Sequence, residues 1–230
     1  MSIVCAYKKR LGAWVFLLSC TVSTATYAGG VGVGTTRVIY PSDRAEVSMS
    51  VSNTDADNAY LIQSWIETPD GKIAADFLMT PPLFKIKRKS ENTMRLMYTG
   101  AALADDRETL FLVNVKSIPS KSKVAMQKGQ STLQLAVVSR IKLFYRPAAL
   151  VNGSRDAALR IEAERAADKV VFKNPTPYFI NLTKISIGAH ELKSTMVAPF
   201  SEERVDVQKG TNGELAYSYL NDYGAVVKIK

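Results

Sequence analysis

The chain has 230 residues, 47% of them hydrophobic, two cysteines, one histidine and a formal net charge of +9. That length suffices for two cores of about 100 residues each. Both cysteines lie within the first 20 residues. The body of the chain therefore excludes disulfide staples, cysteine nucleophiles and Cys/His metal spacing.

Residues 1–28 carry Lys8, Lys9 and Arg10, then a short apolar run, then Ala28 before Gly29. This is the layout of a secretory signal peptide that is removed, and the run is too short to span a bilayer. Leu17-Leu18-Ser19-Cys20 offers a competing acylation site, although Leu18 is bulky for it and Ala28 makes a good ordinary cleavage point. Cleavage removes three of the 30 basic residues and none of the 21 acidic ones, so 27 remain against 21. The export signal argues against nucleic acid as the partner of this basic surface.

Gly-rich 29–34 leads into a strand at 36–40. A phosphate-binding loop must follow a strand and open a helix, so the dinucleotide reading fails, and Val31 and Val33 read as an edge strand. Alternating segments follow at 45–53, 60–67, 77–86, 92–98 and 109–116. Turn residues separate them, including Thr68-Pro69-Asp70-Gly71 and the pair Pro81-Pro82. Only 101–106 has a weak helical period. Trp65 is expected as a buried core tryptophan of an immunoglobulin-like sandwich.

Residues 132–147 (TLQLAVVSRIKLFYRP) read as one long strand. Odd positions from Leu133 to Tyr145 are apolar except Ser139, and even positions turn cationic at Arg140, Lys142 and Arg146. Sixteen residues is nearly three times the usual strand length of about 5–6. Such a strand outruns its sheet.

The boundaries expected are an N-terminal domain at 29–147, a small polar linker at 148–154 and a smaller β-domain at 155–230. Strands in the second domain are expected at 157–162, 169–173, 178–187, 203–207, 214–220 and 225–230. Two glycosylation triplets, at Asn152 and Asn181, matter only in a eukaryotic secretory pathway.

No enzymatic constellation emerges. His190 sits in a turn, no serine has a nucleophile-elbow context, and the acid pairs Asp105-Asp106 and Glu202-Glu203 read as solvated surface. No cofactor or metal is expected. What remains is an apolar strand edge in an exported protein. Natural proteins blunt such edges unless the edge pairs with another chain.

Five segments carry a family resemblance. They are Arg37 in TTRVIY, Asp106-Arg107-Glu108-Thr109-Leu110-Phe111, Ile141-Lys142-Leu143-Phe144-Tyr145-Arg146-Pro147, Asn174-Pro175-Thr176-Pro177-Tyr178 and Asn221-Asp222-Tyr223-Gly224. In order and spacing the chain resembles the periplasmic pilus-assembly chaperones of the chaperone–usher pathway. The resemblance implies an all-β fold of two immunoglobulin-like sandwiches set as an L with a cleft between them. It implies that Arg37 and Lys142 anchor the C-terminal carboxylate of a pilus subunit, and that Leu133, Leu135 and Val137 supply the subunit's missing strand. It further implies an interdomain ion network of Glu108, Arg146 and Asp222. Implied partners are pilus (fimbrial) subunits and an outer-membrane usher, in the periplasm, without stable membrane insertion or nucleic acid. A dimer of two chains capping each other's edge is the alternative form of the free protein. The loop before 132 lacks the cysteine of some long-loop members, which favours the short-loop branch. The sequence stops soon after Gly224, without a terminal disulfide segment. The rival reading is a secreted Ig-like structural subunit or adhesin, which would be expected to carry its own donor segment.

Overall fold

The computed structural model describes residues 29–120, 135–166 and 168–230. The signal-peptide reading and Leu133 lie outside them. In the first half, β1 (Val31–Val33), β3 (Val47–Asn53), β5 (Phe77–Thr80) and β7 (Ser90–Tyr98) form one antiparallel sheet in the order β1-β3-β7-β5. Facing it are β2 (Arg37–Pro41), β4 (Tyr60–Glu67), β6 (Leu83–Ile86), β8 (Thr109–Pro119) and β9 (Val137–Arg146), in the order β2-β9-β8-β4-β6. Between the sheets lies one apolar core that includes Val51, Ile62, Met94, Leu96, Val113 and Leu143. The proline pair explains how one segment serves both sheets. Proline has no N–H to give a ladder, and the chain leaves β5 through a cis Thr80-Pro81 bond to begin β6 in the opposite sheet.

The second half repeats the architecture with a separate core around Val170, Phe172, Leu182, Ile185 and Ile187. Its sheets are β10 (Glu162–Arg165), β11 (Lys169–Asn174) and β15 (Ser201–Asp206), facing β12 (Ile180–Ile187), β13 (His190–Glu191), β14 (Thr195–Val197), β16 (Leu215–Leu220) and β17 (Val226–Lys228). Both halves are immunoglobulin-like β-sandwiches. A 3-10 turn at Ala148–Leu150 and a helix, α1 (Ser154–Leu159), connect them.

Four expectations change. The long strand is β9, which begins at Val137, so Leu135 precedes it. Its ladder with β8 starts at the Ser117–Val137 pair, and β8 itself ends at Pro119. Trp65 is only half-buried, because Ile62, Ser64 and Ile66 occupy the inward positions of β4. Its indole N–H instead donates to Glu67 Oε1 at 2.6 Å on the outer face. Residues 101–106 form no helix. The expected strand at 157–162 is mostly α1, whose Ala157 and Ala158 pack with Ile161 into the second core. That spacing fits a helical turn.

Candidate functional site at the joint between the domains

The parity of β9 builds the site. Leu143 and Tyr145 point into the first core, so Lys142, Phe144 and Arg146 emerge on the opposite face, toward the second domain. The second domain supplies a matching pair two residues apart, at the start of β12. Phe179, just before that strand, meets Phe144 with ring centroids 5.5 Å apart, and Asn181 Oδ1 accepts from Lys142 Nζ at 2.5 Å.

Arg146 is the centre of the joint. Its Nε donates to Glu108 Oε1 at 2.6 Å, and its two terminal nitrogens donate to Asp222 at 2.7 and 2.9 Å. The fork geometry suits guanidinium and carboxylate. The guanidinium also lies over the Tyr178 ring, 5.4 Å from its centroid. All four carboxylate oxygens accept: Glu108 Oε2 takes the Phe179 N–H at 2.8 Å, and Asp222 Oδ2 takes the Ser154 hydroxyl at 2.8 Å in addition to its Arg146 contact. Side-chain exposure is 4% for Arg146 and 1% for Glu108. Burial opposes the charge of Arg146, but the hydrogen bonds and charges of Asp222 and Glu108 outweigh it and raise its pKa. Burial likewise works against the Asp222 carboxylate, yet Arg146 holds that carboxyl below its ordinary value.

Arg37 and Lys142 are brought together by register. β2 runs parallel to β9, with Arg37 opposite Lys142. Arg37 is 8% exposed, and its Nη1 donates to the Leu220 carbonyl at 3.2 Å, while its buried Nε has no partner among the described residues. Burial, then the neighbouring Arg37, depresses the Lys142 pKa. Burial also lowers that of Arg37, against the pull of Asp222 and Glu108. Two cations on adjacent strands, one with a spare buried donor, are chemically suited to an anion with two oxygens.

The same strand carries an open edge. β2 covers only 142–146 of β9. Residues 137–141 pair with β8 on one side and, among the described residues, with no strand on the other. Leu135 and Val137 are 67% and 60% exposed. Val137 begins this open edge, Leu135 lies two residues before it, and Leu133 lies outside the described residues.

The two halves of the chain match two family models. Residues 30–151 match the N-terminal domain of PapD, a pili and flagellar-assembly chaperone, and residues 156–230 match the PapD C-terminal domain. The chain belongs to the PapD family of pilus-assembly chaperones. This chaperone is 44% identical over 210 residues to the probable fimbrial chaperone ElfD of Escherichia coli K12, covering 91% of this chain and 89% of that one. It is 40% identical over 215 residues to the FimC chaperone of an E. coli O6:H1 strain, covering 93% and 88%. Among solved structures it superposes on the periplasmic chaperone SfaE with a TM-score of 0.74 and 42% identity, over 86% of this chain and 98% of that one. A chain from the Salmonella enterica complex of SafA pilin with the SafB chaperone gives a TM-score of 0.77 at 29% identity, over 88% and 95%.

Sequence reasoning missed Asn181, Ser154 and the Phe179 backbone as parts of this chaperone's joint. For Asn181 a signal existed: a polar residue between Ile180 and Leu182 in a strand where all three are buried. Ser154 and the Phe179 N–H have no sequence signature, because each acts through a partner more than 60 residues away. Among the described residues no group of His, Cys, Asp and Glu could hold a metal, and no helix is long and apolar enough to cross a membrane.

Proposed function

We propose that this protein is a periplasmic chaperone that holds pilus subunits by completing their fold. The 137–141 edge adds to the subunit as a strand, with main-chain hydrogen bonds supplying affinity and alternate side chains entering the partner's core. Leu135 and Val137, preceded by Leu133, are the inserted residues. Arg37 and Lys142 bind the subunit's C-terminal carboxylate, which fixes the register of the added strand. The network of Glu108, Arg146 and Asp222 holds the domains at the angle that keeps the two cations facing one cleft. No catalytic step, cofactor or metal enters this cycle, and the loaded chaperone passes its subunit to an outer-membrane usher.

One observation carries the reading: Lys142 and the open edge lie on a single strand, β9, and Arg37 opens β2 opposite Lys142, at the point where that edge ceases to be open. A secreted structural subunit would have no use for two buried like charges beside an unpaired edge. The SafB chaperone, a relative of the same fold, forms a complex with the SafA pilin, and this supports a pilin as the partner here. The test is co-purification from periplasmic extract with a tagged subunit encoded near this gene. Wild type is expected to retain the subunit and Lys142→Ala to be folded and empty. A Lys142→Ala protein that retained wild-type amounts would overturn the anchor assignment.

A further inference from the structure

Beside the anchor, the joint contains a cavity of about 390 Å³. That lies at the small end of the roughly 300–1,000 Å³ of sites that hold organic ligands. Its walls are mainly apolar: Phe144 from the first domain, Phe179 and Tyr219 from the second, Leu159 from α1 and Val227 from β17. Arg37 lines it too, and Arg155 stands exposed at its rim. The two carboxylates that reach it, Glu108 and Asp222, are both engaged by Arg146, so the unmatched charge is cationic.

The position of this cavity relative to the anchor follows from strand geometry. Lys142 and Phe144 are two residues apart on one face of β9, about 6.8 Å along the strand. A carboxylate held by Arg37 and Lys142 belongs to the last residue of a bound chain, and the side chain of that same residue branches from the Cα to which the carboxylate carbon is bonded. It therefore reaches the Phe144 wall without any further length of chain. We propose that this cavity is a specificity pocket that selects a large apolar or aromatic side chain on the C-terminal residue of the bound subunit, an inference that rests on the carboxylate-anchor reading. Arg155 and Arg37 at its edge disfavour a terminal lysine or arginine. Leu159 is 59% exposed in the free protein and becomes covered when the pocket fills.

The experiment uses the full-length mature chain and short peptides of alternating apolar and polar residues with a polar N-terminal tag. They end in Phe, Gly or Lys, each as free acid and as amide, and binding is measured by calorimetry or fluorescence anisotropy. The Phe-ended acid is expected to bind about tenfold or more tightly than the Gly-ended acid, with the Lys-ended acid weakest. Leu159→Glu sits on an exposed position and leaves the fold intact. It is expected to erase the Phe preference and improve the Lys-ended peptide. If free acids outbind amides but Phe, Gly and Lys are equivalent, the pocket is overturned and the anchor stands. If acids and amides bind alike, the anchor reading itself fails and the pocket falls with it. A Leu159→Glu protein that keeps the full Phe preference also overturns the pocket as drawn.

Discussion

Arg37 and Lys142 are register partners in the parallel ladder between β2 and β9. Like charges facing one another across strands are destabilising, and burial depresses the pKa of both. Folding alone disfavours this pair, and the proposed role as a carboxylate anchor gives a reason for its presence. Replacing Lys142 by Met is therefore expected to leave stability unchanged or raised in urea denaturation, while subunit retention is lost. The Asn181 hydrogen bond forfeited in the variant limits the gain. A loss above about 2 kcal/mol, the cost of stranding a buried polar partner, would show Lys142 to be structural.

Arg146 behaves in the opposite sense. Removing it strands Glu108, whose side chain is 1% exposed, as an uncompensated buried charge. Arg146→Ala is expected to cost about 3–5 kcal/mol and to lower yield sharply. Arg146→Lys rescues little, because an ammonium cannot make the forked contact with Asp222 while reaching Glu108. A urea midpoint for Arg146→Ala close to wild type would remove the network from the stability of the joint.

The Asp222 arm of that network has a definite pH signature. Its carboxyl is held below the ordinary value of 3.8 by Arg146, despite burial. A depressed acid contributes stability that is fully present above its unfolded value and disappears as pH falls through the folded one. The stability difference between wild type and Asp222→Asn should thus be constant above about pH 5 and shrink as pH falls below 3.8. Chemical denaturation across that range measures it. A difference that grew on acidification would contradict the assigned direction.

The open edge is tested by charge rather than by truncation. Leu135 and Val137 are largely exposed, so Leu135→Asp and Val137→Asp should change stability by no more than about 0.5 kcal/mol. Subunit binding should fall by tenfold or more, because an aspartate would have to enter the partner's core. Equal subunit binding by wild type and both variants would place the inserted face elsewhere.

How much of this was legible beforehand depends on whether a residue's role is local. Period two in 141–146 put Lys142, Phe144 and Arg146 on one face, and the structure keeps them there. The same parity in β4 places Ile62 and Ile66 inward and so turns Trp65 outward, against the expectation that rests on its residue type. At 157–162 the short helix escaped notice because α1 spans only six residues, too few for a helical period to show. The strand start at Val137 was invisible for a different reason. A strand needs a partner, and where β8 ends is a property of another segment 20 residues away.

The last prediction separates binding from stability with one group. Lys142 has a pKa below its ordinary 10.5, through burial first and Arg37 second. As pH rises through the lowered value in the free protein, the ammonium is lost before that of an exposed lysine, so affinity for a subunit carboxylate must fall. Stability moves the other way. Between the lowered value and 10.5 the unfolded chain binds more protons than the folded one, so the stability linked to Lys142 rises with pH and is complete above the unfolded value. Affinity and stability measured over the same alkaline window should therefore show opposite slopes in wild type. Lys142→Met should show neither slope, having no proton to lose. Lys142→Arg should retain its charge throughout the window and bind subunit to higher pH than wild type. Parallel loss of affinity and stability in wild type would mean that alkaline unfolding, and not deprotonation of the anchor, releases the subunit.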